Sequence, residues 1–291
     1  MTATRPRRRD TGIVSTMLAA LALVALALPA GSRAQEPRRT AFKVCQDPAN
    51  LPFSDAQGNG FENRIARLLA DSLGLPVEYY NFPQRLGFIR NTLRFRLPGE
   101  AYACDVIMGV PAQSDQVAST RPYYRSSYAL VLGSRLSHVT SVSAFLSLPA
   151  STRDGLRIGV YDRSPASDWL VRHELLAQAR PYPMLNADPG HYSGQILDRD
   201  LARGDLDAAV VWGPIAGYFS RRVTAANLRV LPLASEPGLP LEFDIAIGVR
   251  QGEAEWQDTL DGLLSTHRRE IHAILEEYGV PLLPVDEETR R

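Results

Sequence analysis

Residues 41–80 read AFKVCQDPANLPFSDAQGNGFENRIARLLADSLGLPVEYY. Ala41 to Cys45 is a short apolar run stopped by Asp47-Pro48 and Pro52, which predicts a strand. Asp55 to Gly60 is turn chemistry. Phe61, Ile65, Leu68, Leu69 and Leu73 then fall at i, i+4, i+7, i+8 and i+12, one face of a helix. Asn59 is placed to cap that helix, Glu62 lies in its first turn and Gly74 stops it. Pro76 to Tyr80 predicts a second strand. Strand, turn, helix and strand in forty residues is a crossover unit, and it sets the fold class as α/β.

The pattern extends outward in both directions. A second helix is expected over Gln84 to Phe95 and a third strand over Cys104 to Met108. After Tyr128 a strand over Ala129 to Leu132 leaves this first series. A second series follows: a short helix from Ser141 to Leu148, a strand from Leu156 to Val160, and helices around Ser167–Ala177 and Gln195–Arg203. The strand Asp207 to Val211 closes it. Phe243 to Val249 is a strand again, and Trp256, Leu260, Leu263, Leu264, His267, Ile271, Ile274, Leu275 and Tyr278 mark one long amphipathic helix ended by Gly279 and Pro281. Two α/β halves predict two lobes facing a cleft. Ligands of open α/β sheets bind beyond the carboxyl ends of strands. The segments to inspect are therefore Asp47–Phe53, Val110–Asp115, Asp162–Ser167 (with Ser164) and Trp212–Pro214.

The first 34 residues combine a basic start (Arg5, Arg7, Arg8, Arg9), an uncharged apolar run from Ile13 to Ala30 and a small-residue exit, Ser32-Arg33-Ala34. That is the layout of a cleaved export signal, with the cut before Gln35 and the periplasm as destination; a retained anchor is the alternative. The chain is 291 residues long with 32 basic and 32 acidic residues, and five of the former but one of the latter fall in this leader. The remainder is mildly acidic, which argues against a nucleic-acid footprint. Cys45 and Cys104 are the two cysteines. In an exported chain a disulfide between them is the default, with two buried free thiols as the alternative.

Residues that identify an enzyme are missing. The histidines are His138, His173, His191, His267 and His272. The last two are five apart, so on a helix they diverge and cannot share a metal as an i, i+4 pair would. There is no G-x-S-x-G elbow and no phosphate-cradling glycine loop followed by Lys-Ser/Thr. No cofactor is expected. Pocket-type residues do follow the strands. Phe53 either presents its ring to the cleft or packs in the core. Trp212, after the buried run Ala208 to Val211, has the same two readings. Arg85 and Arg90 flank Gly87-Phe88 at a helix start, as anion ligands or as a solvated face.

The order Asp47-Pro48, Leu51-Pro52-Phe53-Ser54, Gly60-Phe61-Glu62 and a helix, then Cys104 to Gly109, Pro122-Tyr123-Tyr124 and Gly204 to Val211, resembles the amino-acid-type periplasmic solute-binding proteins. The resemblance covers most of 41–278. It implies the type II two-lobed fold with two hinge strands and a last helix packed back on lobe 1. The corresponding limits are 40–131 plus 244–279 for lobe 1, 132–243 for lobe 2 and 280–291 for a C-terminal tail. In that family an arginine shortly after the third strand forks onto the substrate carboxylate, preceded by a threonine. Val110 and Gln113 stand at those places here. An acidic residue at the end of the lobe-2 strand holds the substrate ammonium, and Trp212 stands there. A zwitterion buried without these partners would cost roughly several kcal/mol, so amino-acid capture is not expected.

A narrower resemblance rests on Asn50 to Ser54, Pro83 to Leu93, Met108 to Pro111, Arg121 to Tyr128 and Val211 to Phe219. These runs are similar to the quinoprotein-dehydrogenase-associated J proteins (MxaJ and XoxJ). That resemblance implies a non-catalytic accessory of a PQQ-dependent methanol or alcohol dehydrogenase, concerned with its maturation or activation. A transport receptor for a non-amino-acid small molecule is the alternative. The cleft residues expected are Phe53, Arg85, Phe88, Val110, Gln113, Ser164 and Trp212. Pro122-Tyr123-Tyr124 is expected to pack a turn into the first hinge strand, with Arg121 and Arg125 at the surface or the rim.

Overall fold

The computed structural model describes residues 1–2, 39–84, 87–184 and 192–284. Most of the expected leader, Arg85, His191 and the end of the tail lie outside the described residues. No helix among the described residues is long and apolar enough to cross a membrane.

The opening stretch folds as its spacing predicts. β1 (Phe42–Gln46) is followed by the small strands β2 (Ala49–Asn50) and β3 (Ser54–Asp55). Helix α1 (Phe61–Leu73) buries Phe61, Ile65 and Leu69, and β4 (Val77–Asn81) pairs parallel with β1. Gly74 ends α1 in the left-handed conformation, φ 64. The helix start differs from expectation: Gly60, not Asn59, is the cap. Asn63 reaches back to accept from the Gly60 amide at 3.1 Å, while the Pro52 and Phe53 carbonyls accept from the Phe61 and Glu62 amides. Asn59 instead donates to the Asp55 carboxylate.

The second helix is a single turn, α2 (Phe88–Asn91), shorter than the expected span, and Gly87 before it adopts φ 82. β5 (Val106–Pro111) pairs parallel with β1, and β6 (Ala118–Ser119) follows. β7 (Tyr124–Leu132) then crosses between the lobes, pairing near its start with β12 (Glu242–Val249) and near its end with β10 (Ala208–Trp212) and β11 (Arg229–Pro232). β12 returns antiparallel to β7 and runs on between β5 and β6. These are the two hinge strands. The connected sheet runs β4-β1-β5-β12-β7-β10-β8-β9, with β8 (Ile158–Tyr161) and β9 (Ala179–Tyr182) at the lobe-2 edge.

The lobe-2 helices are α3 (Val142–Leu146), α4 (Ala150–Arg153), α5 (Pro165–Arg172) and α6 (Gly213–Arg222), with a π-helical stretch at Ile196–Leu201. The long terminal helix of the sequence reading is two, α7 (Ala254–Thr266) and α8 (Arg268–Glu277), divided at His267. Their apolar faces complete the lobe-1 core, where Trp256, Leu260, Leu264, Ile271 and Leu275 join Phe42, Phe61, Ile65 and Leu69. Lobe 2 buries apolar side chains on both faces of its sheet, one around Trp169, Leu170 and Phe145, the other around Ile196, Leu201 and Phe219.

Cys45 and Cys104 form the disulfide, Cα–Cα 5.3 Å, tying β1 to the segment before β5. Arg125 is not a surface residue. It spans the hinge strands, with Asp244 Oδ2 at 3.1 Å and Glu242 Oε2 at 3.3 Å. Behind the hinge, α6 meets the segment after α8. A Cβ on Gly217 would lie 1.8 Å from the Gly279 carbonyl oxygen, and Tyr218 stacks on Tyr278 at 5.8 Å. The Ser126 hydroxyl donates to the Pro281 carbonyl at 2.6 Å.

Candidate functional site

A cavity of about 190 Å³ opens where the carboxyl end of β1, the loop through Phe53, the start of α1, the end of β5 and the end of β10 converge. This is the position that strand topology predicts for a ligand. Phe53, Phe88, Tyr124 and Trp212 supply rings, and Asp47 and Glu62 supply carboxyl groups.

Each is placed by local structure. Phe53 is set by Gly60, whose missing side chain lets the Phe53 carbonyl approach the helix start; a Cβ there would lie 1.9 Å from that oxygen. The ring packs on Phe61 at 5.3 Å while facing the cavity, so core and cleft each hold one of its faces. Trp212 is half-buried at the last position of β10, edge-on to Tyr128 at 5.3 Å and to Phe243 at 5.9 Å. Its indole N–H donates to the Tyr124 hydroxyl. Asp47 accepts from the Ala49 and Gln84 amides, folding the rim inward.

Glu62 is the residue that sequence reasoning missed as part of the site. As the second residue of α1 it reads as an ordinary helix-start acid. In the structure it is half-buried and lines the cavity. Among the described residues its carboxyl has no hydrogen-bond or ion-pair partner, and burial pushes it up to about 8. Desolvation therefore outweighs the helix dipole, and the group is largely neutral at pH 7. Space for it comes from Gly109, which adopts φ +70 and would place a Cβ 2.1 Å from Glu62 Oε1. Tyr123 and Tyr124 stand against it, and burial with the nearby Glu62 charge raises both phenols well above their ordinary value.

Of the other expected cleft residues, Val110, Gln113 and Ser164 do not line this cavity. Val110, within β5, is buried with Val117 and Ala246, and Gln113 is exposed. Ser164 caps α5, donating to the Tyr161 carbonyl at 2.6 Å and accepting from the Ser167 amide at 3.4 Å. Arg85 lies outside the described residues. The cavity thus gathers Phe53, Phe88 and Trp212 and adds Glu62, Asp47 and Tyr124.

No family model matches the sequence. Protein MoxJ of Paracoccus denitrificans is 30% identical over 261 residues, 84% of this chain and 90% of that protein. Protein MoxJ of Methylorubrum extorquens is 28% identical, covering 96% of this chain and 97% of its own length. Among solved structures, the periplasmic binding protein XoxJ from Methylobacterium extorquens AM1 matches with TM-score 0.67 and 33% identity over 84% of this chain and all of that one. An ancestral cationic amino-acid solute-binding protein, 17% identical at TM-score 0.63, covers 83% of this chain and 96% of its own and shows the shared fold. The chain belongs to the MoxJ and XoxJ family, built on the two-lobed periplasmic-binding-protein fold.

Proposed function

We propose that this chain is an exported, non-catalytic accessory protein that works with a PQQ-dependent methanol or alcohol dehydrogenase in the periplasm, assisting its maturation or activation. The periplasmic assignment follows the leader pattern and the XoxJ relative, a periplasmic binding protein. Lobe limits near 132 and 243 fit the crossing of β7 and β12. The observation that carries the reading is the end of β10: an indole, Trp212, lines the cavity at the place where the resemblance to amino-acid receptors implies a carboxylate, in a chain similar to XoxJ over 84% of its length. No arginine or lysine is among the described lining residues to fork onto a substrate carboxylate. On this reading the fold is kept while the partners of a zwitterion are not found among the described lining residues.

Co-purification from native periplasm tests this. The tagged mature chain should bring down a quinoprotein dehydrogenase, identified by mass spectrometry, and a strain lacking the chain should make dehydrogenase with lowered specific activity. Unchanged dehydrogenase activity and no association with either its apo or its cofactor-loaded form would remove the proposal. The second reading, a transport receptor for a non-amino-acid solute, draws on the ring-lined cavity; it predicts lobe closure in solution scattering when the solute binds.

A further inference from the structure

We propose that the cavity takes a small organic cation of the methylated-ammonium class, held by the Glu62 carboxylate against the rings of Phe53, Phe88 and Trp212. This goes beyond the accessory role and stands independently of it.

Four observations lead there. Among the described lining residues there are two carboxyl groups, Asp47 and Glu62, and no arginine, lysine or histidine, so the charge they supply favours a cation over an anion. Asp47 is already engaged by the backbone amides of Ala49 and Gln84, whereas Glu62 has no partner among the described residues. The position of Glu62 is built: Gly109 gives up its side chain and adopts φ +70 to make room for the carboxyl. A desolvated carboxyl so accommodated is a poor structural element and a good counter-ion in waiting. Finally, aromatic faces around a carboxylate are the chemistry that recognises quaternary ammonium groups. The cavity, about 190 Å³, is below the usual range for drug-sized ligands, which restricts the guest to a few heavy atoms.

Binding then carries a proton balance. The Glu62 O–H bond breaks, its proton leaves to solvent, and the carboxylate pairs with the cation. Among the described residues the other titratable groups facing Glu62 are Tyr123 and Tyr124, held neutral by burial, with Asp47 across the cavity. Because only the ionised form pairs, apparent affinity follows the ionised fraction, which with a group near 8 rises about tenfold between pH 7 and pH 9.

Calorimetry on the mature chain tests this with choline, tetramethylammonium and the uncharged choline isostere 3,3-dimethyl-1-butanol. The cations should bind, about tenfold more tightly at pH 9 than at pH 7. Proton release at pH 7 should show as a dependence of the heat on buffer ionisation enthalpy, and the isostere should bind at least about tenfold more weakly at pH 9. Glu62→Gln, close in shape to the protonated acid, should abolish both the pH dependence and the preference for charge. Equal binding of the isostere, a pH-independent affinity in the unmodified chain, or no binding by either cation would overturn the proposal. The pH series on the unmodified chain needs no variant, and neither result depends on dehydrogenase association.

Discussion

The Glu62 carboxyl occupies the space that a side chain at position 109 would need: a Cβ on Gly109 falls 2.1 Å from Glu62 Oε1, from a backbone already at φ +70. The pair joins the first turn of α1 to β5 and floors the cavity. Gly109→Ala should lower stability by about 2–4 kcal/mol, combining a left-handed backbone cost with the clash. In Gly109→Ala/Glu62→Ala the clash vanishes and the backbone cost remains. Urea melts of the four species should therefore show a coupling of at least about 1 kcal/mol, and strict additivity would mean that the two residues do not share this space.

The Glu62 carboxyl also sets a pH dependence. Its folded-state value, about 8, lies above its unfolded value, so between roughly pH 5 and pH 8 the folded chain holds more protons than the unfolded one. The contribution is full below the unfolded value and is lost as pH rises through the folded one. Ligand-free protein should thus lose stability relative to Glu62→Gln across that window, by about 2–4 kcal/mol once water in the cavity is allowed for. Parallel melting curves at pH 5 and pH 8.5 for the two proteins would contradict it.

Arg125 ties the hinge strands through Asp244 and Glu242, all three side chains at least three-quarters shielded from solvent. Arg125→Met keeps the aliphatic stem and strips two carboxylates of their cation. A loss of about 2–4 kcal/mol is expected, with recovery at low pH as the carboxylates are protonated. A destabilisation that persists unchanged at pH 4 would point to packing instead of charge.

The Cys45–Cys104 bridge closes a loop with a sequence separation of 59. Its reduction, or the double serine variant, should cost about 3–4 kcal/mol by restoring freedom to the unfolded chain. Denaturant midpoints with and without reductant measure this directly.

Gly217 lies against Gly279 with no room for a methyl group. Gly217→Ala should separate α6 from the C-terminal segment and break the Tyr218–Tyr278 stack. Limited proteolysis after Glu277 should accelerate at least about tenfold, since cleavage follows local opening. An unchanged rate would mean that the contact does not hold the segment down.

The strand–helix–strand unit at 41–80 was legible because its apolar residues are periodic and local. Phe53 and Trp212 were singled out for lying near strand ends, and the structure puts Trp212 at the last position of β10 and Phe53 in the turn between β2 and β3. Glu62 was not, because its role depends on Gly109 and Tyr124, distant in sequence, and nothing in GFEN distinguishes an inward carboxyl from an outward one. The expected helix over Gln84–Phe95 shrank to one turn: Gly87 at φ 82 keeps it from starting earlier, and Thr92 leaves helical geometry at φ −125. The apolar spacing from Trp256 to Tyr278 survives the break at His267, since both α7 and α8 turn the same face to lobe 1, so periodicity alone read them as one. Val110 and Gln113 were singled out by comparison with receptors that bind amino acids; in this structure Val110 is buried and Gln113 exposed, and neither lines the cavity.

The place of β12 in the sheet has a temporal meaning. It lies between β5 and β7, yet both of those strands precede it by more than a hundred residues, and α7 and α8, which seal the lobe-1 core, come later still. Lobe 2 is largely contiguous in the chain and has its partners in hand as soon as they emerge. Lobe 1 begins first and finishes last, its layer interrupted until the C-terminal part of the chain arrives. During that interval the early strands present paired but incomplete edges, and the bridge between Cys45 and Cys104, both available from the outset, is the covalent tie that can hold them in register while the chain waits for its own end.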